Sequence, residues 1–233
     1  PSSGSKPCRA VKAALPATPV FVQGSLDAPT ATWAVDQKVA DAAEITRGQI
    51  ADPDLTLKLA EKRLDDIRPC IRCNQTCQVR DGRNPIVTCV GEPSSGHETD
   101  DPNWFAVSPR PRDVVVVGGG VAGMETARVA AARGHHVRLL ESGDHLGGVA
   151  GLLPHARPLV EWLMRAVEDA GVVVELGHHH LDSTTDEVVV QCTGGQAGPR
   201  PFTVADGTLV VDVVDAWTAV FSGGDVPWPA DGP

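Results

Sequence analysis

The sequence predicts an α/β fold, and three observations carry that prediction. Short β-branched runs alternate with helix-length amphipathic segments at both ends of the chain. A stretch rich in Cys and Pro, without periodicity, separates them. Beyond it, a glycine-rich turn joins the apolar run Asp113–Val117 to a helix-forming segment.

The elements follow in order. Val20-Phe21-Val22 reads as a strand ended by Gln23-Gly24-Ser25, Thr30 to Ala40 as a helix, Asp41 to Thr46 as a second strand, and Asp54 to Arg63 as a helix opened by Asp52-Pro53. Such alternation implies a parallel sheet. Two strand–helix units cannot cover both faces of a sheet, so residues 1–66 are expected to dock on a larger body. Residues 67–103 hold four cysteines, four prolines and the polar run Ser94 to Asp101, with no hydrophobic face to shape them. A bound centre is expected to order them. From 104 to 233 the strand Asp113–Val117 turns into a helix over Ala122–Arg133, which Gly134 ends. A strand at Val137–Glu141, a helix at Pro158–Ala170 and strands at Val172–Leu176, Glu187–Cys192 and Thr208–Val214 complete a Rossmann-like series.

Composition excludes some partners. Twenty Lys and Arg against 30 Asp and Glu give a formal charge of −10, which argues against nucleic acid and anionic membranes. The apolar runs are far shorter than the roughly 20 residues a spanning helix needs. The chain reads as soluble and cytoplasmic. It lacks an initiator Met, Pro1 to Lys6 is loop-like and Ser222 to Pro233 is rich in Gly, Pro and Asp. Both ends are therefore expected to be cut from something longer.

The cysteines carry the sharpest chemistry. Cys70, Cys73, Cys77 and Cys89 follow C-x2-C-x3-C-x11-C. Three thiolates from one loop and a fourth from a second meet the four-thiolate requirement of a [4Fe–4S] cluster. Structural zinc is the rival, although zinc sites commonly use two separated C-x2–4-C pairs. Cys8 and Cys192 fall outside the set and read as a terminal-loop thiol and a buried strand residue.

Gly118, Gly120 and Gly123 form G-x-G-x-x-G between a strand and a helix, and Glu141 closes the next strand. Gly118 permits the tight turn, Gly120 lets backbone approach a pyrophosphate and Gly123 lets helix and strand pack closely. Glu141 would accept ribose hydroxyls and repel a 2′-phosphate, which suits FAD, NAD or ADP. The pair Gly147-Gly148 shifts the balance to FAD, whose extended nucleotide would need close backbone approach there. Thr193-Gly194, after a strand, is a further turn expected near the same ligand. Nearer the start, Gly24 and Ser25 after one strand and Arg47 and Gly48 after the next suggest an anion site, because guanidinium binds phosphate bidentately. His178-His179-His180 reads as a solvated loop.

Taken in order, Arg47-Gly48-Gln49-Ile50-Ala51-Asp52-Pro53-Asp54-Leu55, then Ile67-Arg68-Pro69-Cys70-Ile71-Arg72-Cys73-Asn74-Gln75-Thr76-Cys77, then Val114 to Gly123, resemble the iron–sulfur flavoenzymes of the 2,4-dienoyl-CoA reductase and trimethylamine dehydrogenase group. An old yellow enzyme-like branch associated with mycofactocin is a near variant. The resemblance implies the C-terminal strand–helix units of an FMN-binding (β/α)8 barrel over 1–66, a cluster segment over 67–103 and a Rossmann-like FAD-binding domain over 104–233, incomplete at its end. It implies Gly24, Ser25, Arg47 and Gly48 on the FMN phosphate, the four cysteines on the cluster, and Gly118, Gly120, Ala122, Glu141, Gly147 and Gly148 around FAD. Two positions depart from the pattern: Val90-Gly91-Glu92-Pro93 follows Cys89 where Asn-Pro is commoner, and Thr46 stands where Gly usually precedes the Arg.

The expected function is a part of an NAD(P)H-dependent oxidoreductase relaying electrons from FAD through the cluster to FMN, which reduces an activated C=C bond of a small-molecule substrate. The catalytic residues would lie outside this chain, which contains no Tyr to serve as a proton donor. Its partners would be the rest of the barrel and a nicotinamide-binding domain, and a homo-oligomer is compatible with this organisation. The alternatives are an amine dehydrogenase-like electron-transfer module with structural ADP, and a zinc-stabilised NAD-binding regulatory domain.

Overall fold

The computed structural model describes residues 5–78, 82–83, 86–99, 103, 105–178 and 186–194. The expected strand Thr208–Val214, together with His179 and His180, lies outside them. The chain divides into two compact units, Pro1–Asn103 and Trp104–Pro233.

The first unit opens with helix α1 (Ser5–Ala14), which the sequence reading missed. Pro7 lies in its first turn, where a missing N–H breaks no intrahelical bond. Cys8 is therefore not a terminal-loop thiol: it lies on α1 and packs against the core of Val22, Leu26, Ala34, Val39 and Ala40. Strands β1 (Phe21–Gln23) and β2 (Ala42–Glu44) pair in parallel, Phe21 opposite Ala42 and Gln23 opposite Glu44. Between them, helix α2 (Ala28–Asp36) starts before Thr30 because the Asp27 carboxylate accepts the Thr30 N–H at 2.9 Å, an N-cap. It stops at Asp36, short of Ala40, because Lys38 turns left-handed at φ 53° and folds Val39 into the core. The expected strand Asp41–Thr46 is shortened likewise. Helix α3 (Thr46–Ala51) begins at Thr46, so Arg47 and Gly48 sit on a helical turn and not in an open loop. Helix α4 (Leu55–Ala60) ends ahead of Lys62, which is left-handed at φ 61°.

Among its described residues the second unit holds a parallel sheet of four strands in the order β5-β4-β3-β6. They are β3 (Asp113–Val117), β4 (His136–Leu140), β5 (Val173–Glu175) and β6 (Val188–Gln191). Val114, Val115 and Val116 are buried in succession, as both faces of a central parallel strand require. Helix α5 (Val121–Ala132) crosses from β3 to β4, the short helix α6 (Gly148–Gly151) follows, and helix α7 (Arg157–Asp169) leads to β5. α7 buries Leu159, Val160, Trp162, Leu163 and Val167 on one stripe. The Arg128 guanidinium of α5 sits 5.5 Å from the Trp162 ring centroid and 5.2 Å from that of Phe105, which ties α5 to α7.

Candidate cofactor sites

In the second unit the glycines converge at the C-terminal edge of the sheet. Gly118 has φ 106°, and a Cβ there would stand 2.3 Å from the Cys192 carbonyl oxygen. At Gly123, a Cβ would meet the Gly118 carbonyl oxygen at 1.8 Å, so helix and turn pack backbone to backbone. Gly120 differs: its φ is an ordinary −72°, and a Cβ there would meet nothing within 4 Å. The fold has no internal need for glycine at 120, and the open space above it fits a closely approaching ligand such as a pyrophosphate. Ala122 lies exposed in the first turn of α5.

Gly147 and Gly148 have a structural reason of their own. Gly147 donates its N–H to the Gly119 carbonyl at 2.8 Å and forms a parallel bridge with Gly120. Both are left-handed, at φ 117° and 52°, and a Cβ on Gly147 would press Val160 at 2.9 Å. The second glycine pair thus locks the two loops of the cradle together. Cys192 is half-buried and lies one residue past β6, not buried within a strand; Thr193 and Gly194 follow it, with the Thr193 backbone beside Gly118.

Glu141 is already engaged. Its Oε1 accepts the Gly143 N–H at 2.8 Å and the Ser142 hydroxyl at 3.1 Å, and its Oε2 accepts the Gly119 N–H at 2.6 Å. Burial pushes this carboxyl up, but the Gly143, Gly119 and Ser142 donors outweigh it and hold it below the usual glutamate range. A carboxylate offers about four acceptor positions, so one remains on Oε2 for a ribose hydroxyl. His178, the described residue of the histidine tract, donates its N–H to the Glu141 carbonyl at 2.9 Å.

In the first unit all four cysteines are half-buried and free of disulfides. Two contacts that sequence reading missed gather their loops. Arg68, buried at 4% exposure, bonds the Gly91 carbonyl and pairs with Glu92 at 3.1 Å, which ties the approach to Cys70 to the exit from Cys89. Its own N–H is fixed by the buried Asp52 at 2.8 Å, which also pairs with Lys58 at 2.7 Å. Thr76 and Thr88 then bond reciprocally, at 3.0 and 3.2 Å, just before Cys77 and Cys89. The Arg72 N–H points to the Cys70 sulfur and the Gly91 N–H to the Cys89 sulfur, both at 3.4 Å, the kind of bond that stabilises bound thiolates. Burial, and then the Cys70 and Cys73 sulfurs, push the Cys89 thiol above its ordinary range against the Gly91 and Glu92 N–H donors. Among the described residues no three His, Cys, Asp or Glu side chains are grouped closely enough to hold a metal ion as they stand. In donor chemistry, and in the backbone N–H groups aimed at two of their sulfurs, the cysteines fit a thiolate-bound centre.

Beside them lies a cavity of about 300 Å³ lined by Gln23, Gly24, Ser25, Thr46 and Arg47. Arg47 donates to the Ser25 hydroxyl at 2.6 Å and to the Asn74 side-chain oxygen. Gly48 does not line the cavity. It is buried where a Cβ would meet Ile45 at 2.5 Å, and its role is to let the turn that carries Arg47 pack down. Among the described residues no helix is long and apolar enough to cross a membrane.

Residues 82–216, more than half of the chain, match the family model for pyridine nucleotide-disulphide oxidoreductases. A cinnamate reductase of Clostridium sporogenes is 32% identical over 209 residues, which cover 84% of this chain and 31% of that protein. A solved 2-naphthoyl-CoA reductase, in complex with 2-naphthoyl-CoA, superposes with a TM-score of 0.81 at 28% identity over 94% of this chain and 35% of that one. Histamine dehydrogenase from Rhizobium sp. 4-9 gives 0.62 at 29% identity, over 70% of this chain and 25% of that one. The chain spans between about a quarter and about a third of the length of these relatives.

Proposed function

The chain belongs to the pyridine nucleotide-disulphide oxidoreductase family, in the branch of the 2,4-dienoyl-CoA reductase and trimethylamine dehydrogenase flavoproteins, and from that premise we propose that it is the electron-relay part of a flavin-dependent oxidoreductase. On this reading residues 1–66 close an FMN-binding (β/α)8 barrel, 67–103 hold a [4Fe–4S] cluster and 104–233 bind FAD. When bound, these groups supply the one- and two-electron steps between NAD(P)H and an activated C=C bond.

The chain's own residues hold and orient. Cys70, Cys73, Cys77 and Cys89 would ligate the cluster, with Arg68, Thr76 and Thr88 keeping their two loops adjacent. Gly120 leaves room for the pyrophosphate, Glu141 offers its free acceptor position to the ribose, and Gly147 and Gly148 hold the cradle's second loop against the first. Gly24, Ser25 and Arg47 would receive the FMN phosphate.

One observation carries this reading: a single compact unit sets four free, half-buried thiols beside a cavity whose arginine, among the described residues, has only the neutral partners Asn74 and Ser25. An uncompensated guanidinium lining a cavity suits an anion. The purified protein is expected to show broad visible absorbance bleached by dithionite, with about four iron and four sulfide per chain. Stoichiometric zinc without iron would refute it.

The second reading, an amine dehydrogenase-like module with structural ADP, draws on the likeness to histamine dehydrogenase. Gly120 and Glu141 serve an ADP moiety equally well with or without a flavin attached. Releasing the nucleotide with acid and weighing it separates FAD from ADP.

A further inference from the structure

We propose that Asn74 and Arg72 clasp the cysteine loop onto the phosphoryl cavity, so that filling the cavity and binding a metal centre at the four cysteines favour each other. The inference rests on the functional reading above and adds a coupling between its two sites.

The clasp has two points. Asn74, between Cys73 and Cys77, accepts from one terminal nitrogen of Arg47, whose other terminal nitrogen donates to Ser25 at 2.6 Å. Arg72, between Cys70 and Cys73, pairs with Asp27 at 2.9 Å. Ser25 and Asp27 belong to the segment leaving β1, so both contacts join that segment to the cysteine loop. The two loop residues share an uncommon backbone: Arg72 has φ 57° and Asn74 φ 52°. Non-glycine residues held left-handed persist only where their surroundings over-determine them. Here the two flank Cys73, and each sends its side chain to the segment that leaves β1 or to the arginine bound to it.

The chemistry of the partners differs in a useful way. Asp27 is a carboxylate and neutralises Arg72. Asn74 and Ser25 are neutral and orient the Arg47 guanidinium without cancelling its charge. A guanidinium has five N–H donors, so a phosphoryl group can take those that Ser25 and Asn74 leave. A phosphoryl group bound there would hold Arg47, Arg47 would hold Asn74, and Asn74 would hold the loop that carries Cys73 and Cys77. Coupling of this kind is reciprocal: whatever factor the ligand adds to metal retention, the metal adds to ligand affinity. Asn74 acts as a positioning residue.

The test is chelator-driven iron loss from the purified protein, followed by its visible absorbance, with and without FMN and with riboflavin as the probe lacking a phosphate. FMN is expected to slow the loss about fivefold, the lower end of ordinary coupling between sites, and riboflavin to leave it unchanged. Asn74→Gly keeps the left-handed backbone and deletes the acceptor; it should abolish the protection. Asp27→Asn retains a good N-cap for α2 and removes the charge opposite Arg72, and it should weaken the protection. FMN affinity, measured before and after iron removal, should be lower in the iron-free protein. Equal protection in Asn74→Gly and in the unmodified protein, or FMN binding that leaves iron loss unchanged, overturns the inference and leaves the functional reading standing. An unmodified protein that holds no iron, or binds no FMN, overturns both.

Discussion

Gly120 and Gly123 occupy one motif and do unrelated work, which makes them separable by experiment. A Cβ at 123 would stand 1.8 Å from a backbone oxygen that cannot rotate away, whereas a Cβ at 120 meets open space at an ordinary φ. Gly123→Ala is expected to destabilise the second unit by about 3 kcal/mol in urea unfolding, the upper end of ordinary overpacking. Gly120→Ala should change stability by less than about 0.5 kcal/mol and still weaken dinucleotide binding in a titration. Glu141 gives a pH signature. Its carboxyl lies lower in the folded chain than its ordinary value of 4.5, so its contribution is fully present above that value and lost as pH falls through the lower, folded one. Glu141→Gln should therefore flatten the fall of stability with acid below about pH 4.5, read as the urea midpoint against pH. Asp27 and Glu175 shift the same way, so the slope diminishes without vanishing. Spacing in the sequence displayed the glycines, the carboxylate and the thiols. It could not display that Gly147 and Gly148 brace the cradle from within, because that reason is Val160 and the backbone of Gly119 and Gly120, which only the fold brings near.

Among the elements, the cysteine segment shows how a stretch with no strand or helix acquires shape. Apart from any metal, its frame is a chain of buried polar contacts: Lys58 to Asp52, Asp52 to the Arg68 N–H, and the Arg68 side chain to Gly91 and Glu92. Removing one member of a buried ion pair costs about 3–5 kcal/mol because the other charge is stranded. Arg68→Met should lower the stability of the first unit by about 3 kcal/mol in urea, and adding Glu92→Gln should recover part of it, since the stranded carboxylate is then gone. Equal stability of the single and double variants would show that the pair is not the frame. No local pattern announces Arg68: it reads as part of a Cys-Pro motif, and its partners stand 16 and 23 residues away. The strands at Val22, Val116 and Leu139 were legible as short, largely apolar runs next to glycine-bearing turns. Helix α3 was not, since a helix of six residues has too few turns for its periodicity to stand out from a loop.

At the scale of the molecule, the division into units sets what each ligand can stabilise. The thiols, their polar frame and the cavity at Arg47 all belong to Pro1–Asn103, while the glycine cradle and Glu141 belong to Trp104–Pro233 with a sheet and hydrophobic core of its own. A ligand stabilises the folded unit it binds by RT ln(1 + [L]/Kd), about 2.7 kcal/mol at a hundredfold excess over Kd. Unfolding of a chain built this way need not be two-state, and calorimetry should resolve two transitions that answer to different additives. With any bound nucleotide first removed, ADP should raise one transition and leave the other in place. A chelator should lower the transition that ADP leaves alone, because the segment it strips has no hydrophobic face to keep its shape, whereas β3 and β4 keep theirs through Val115, Val116 and Leu139. If ADP and chelator instead moved a single common transition, the two units would unfold as one cooperative structure.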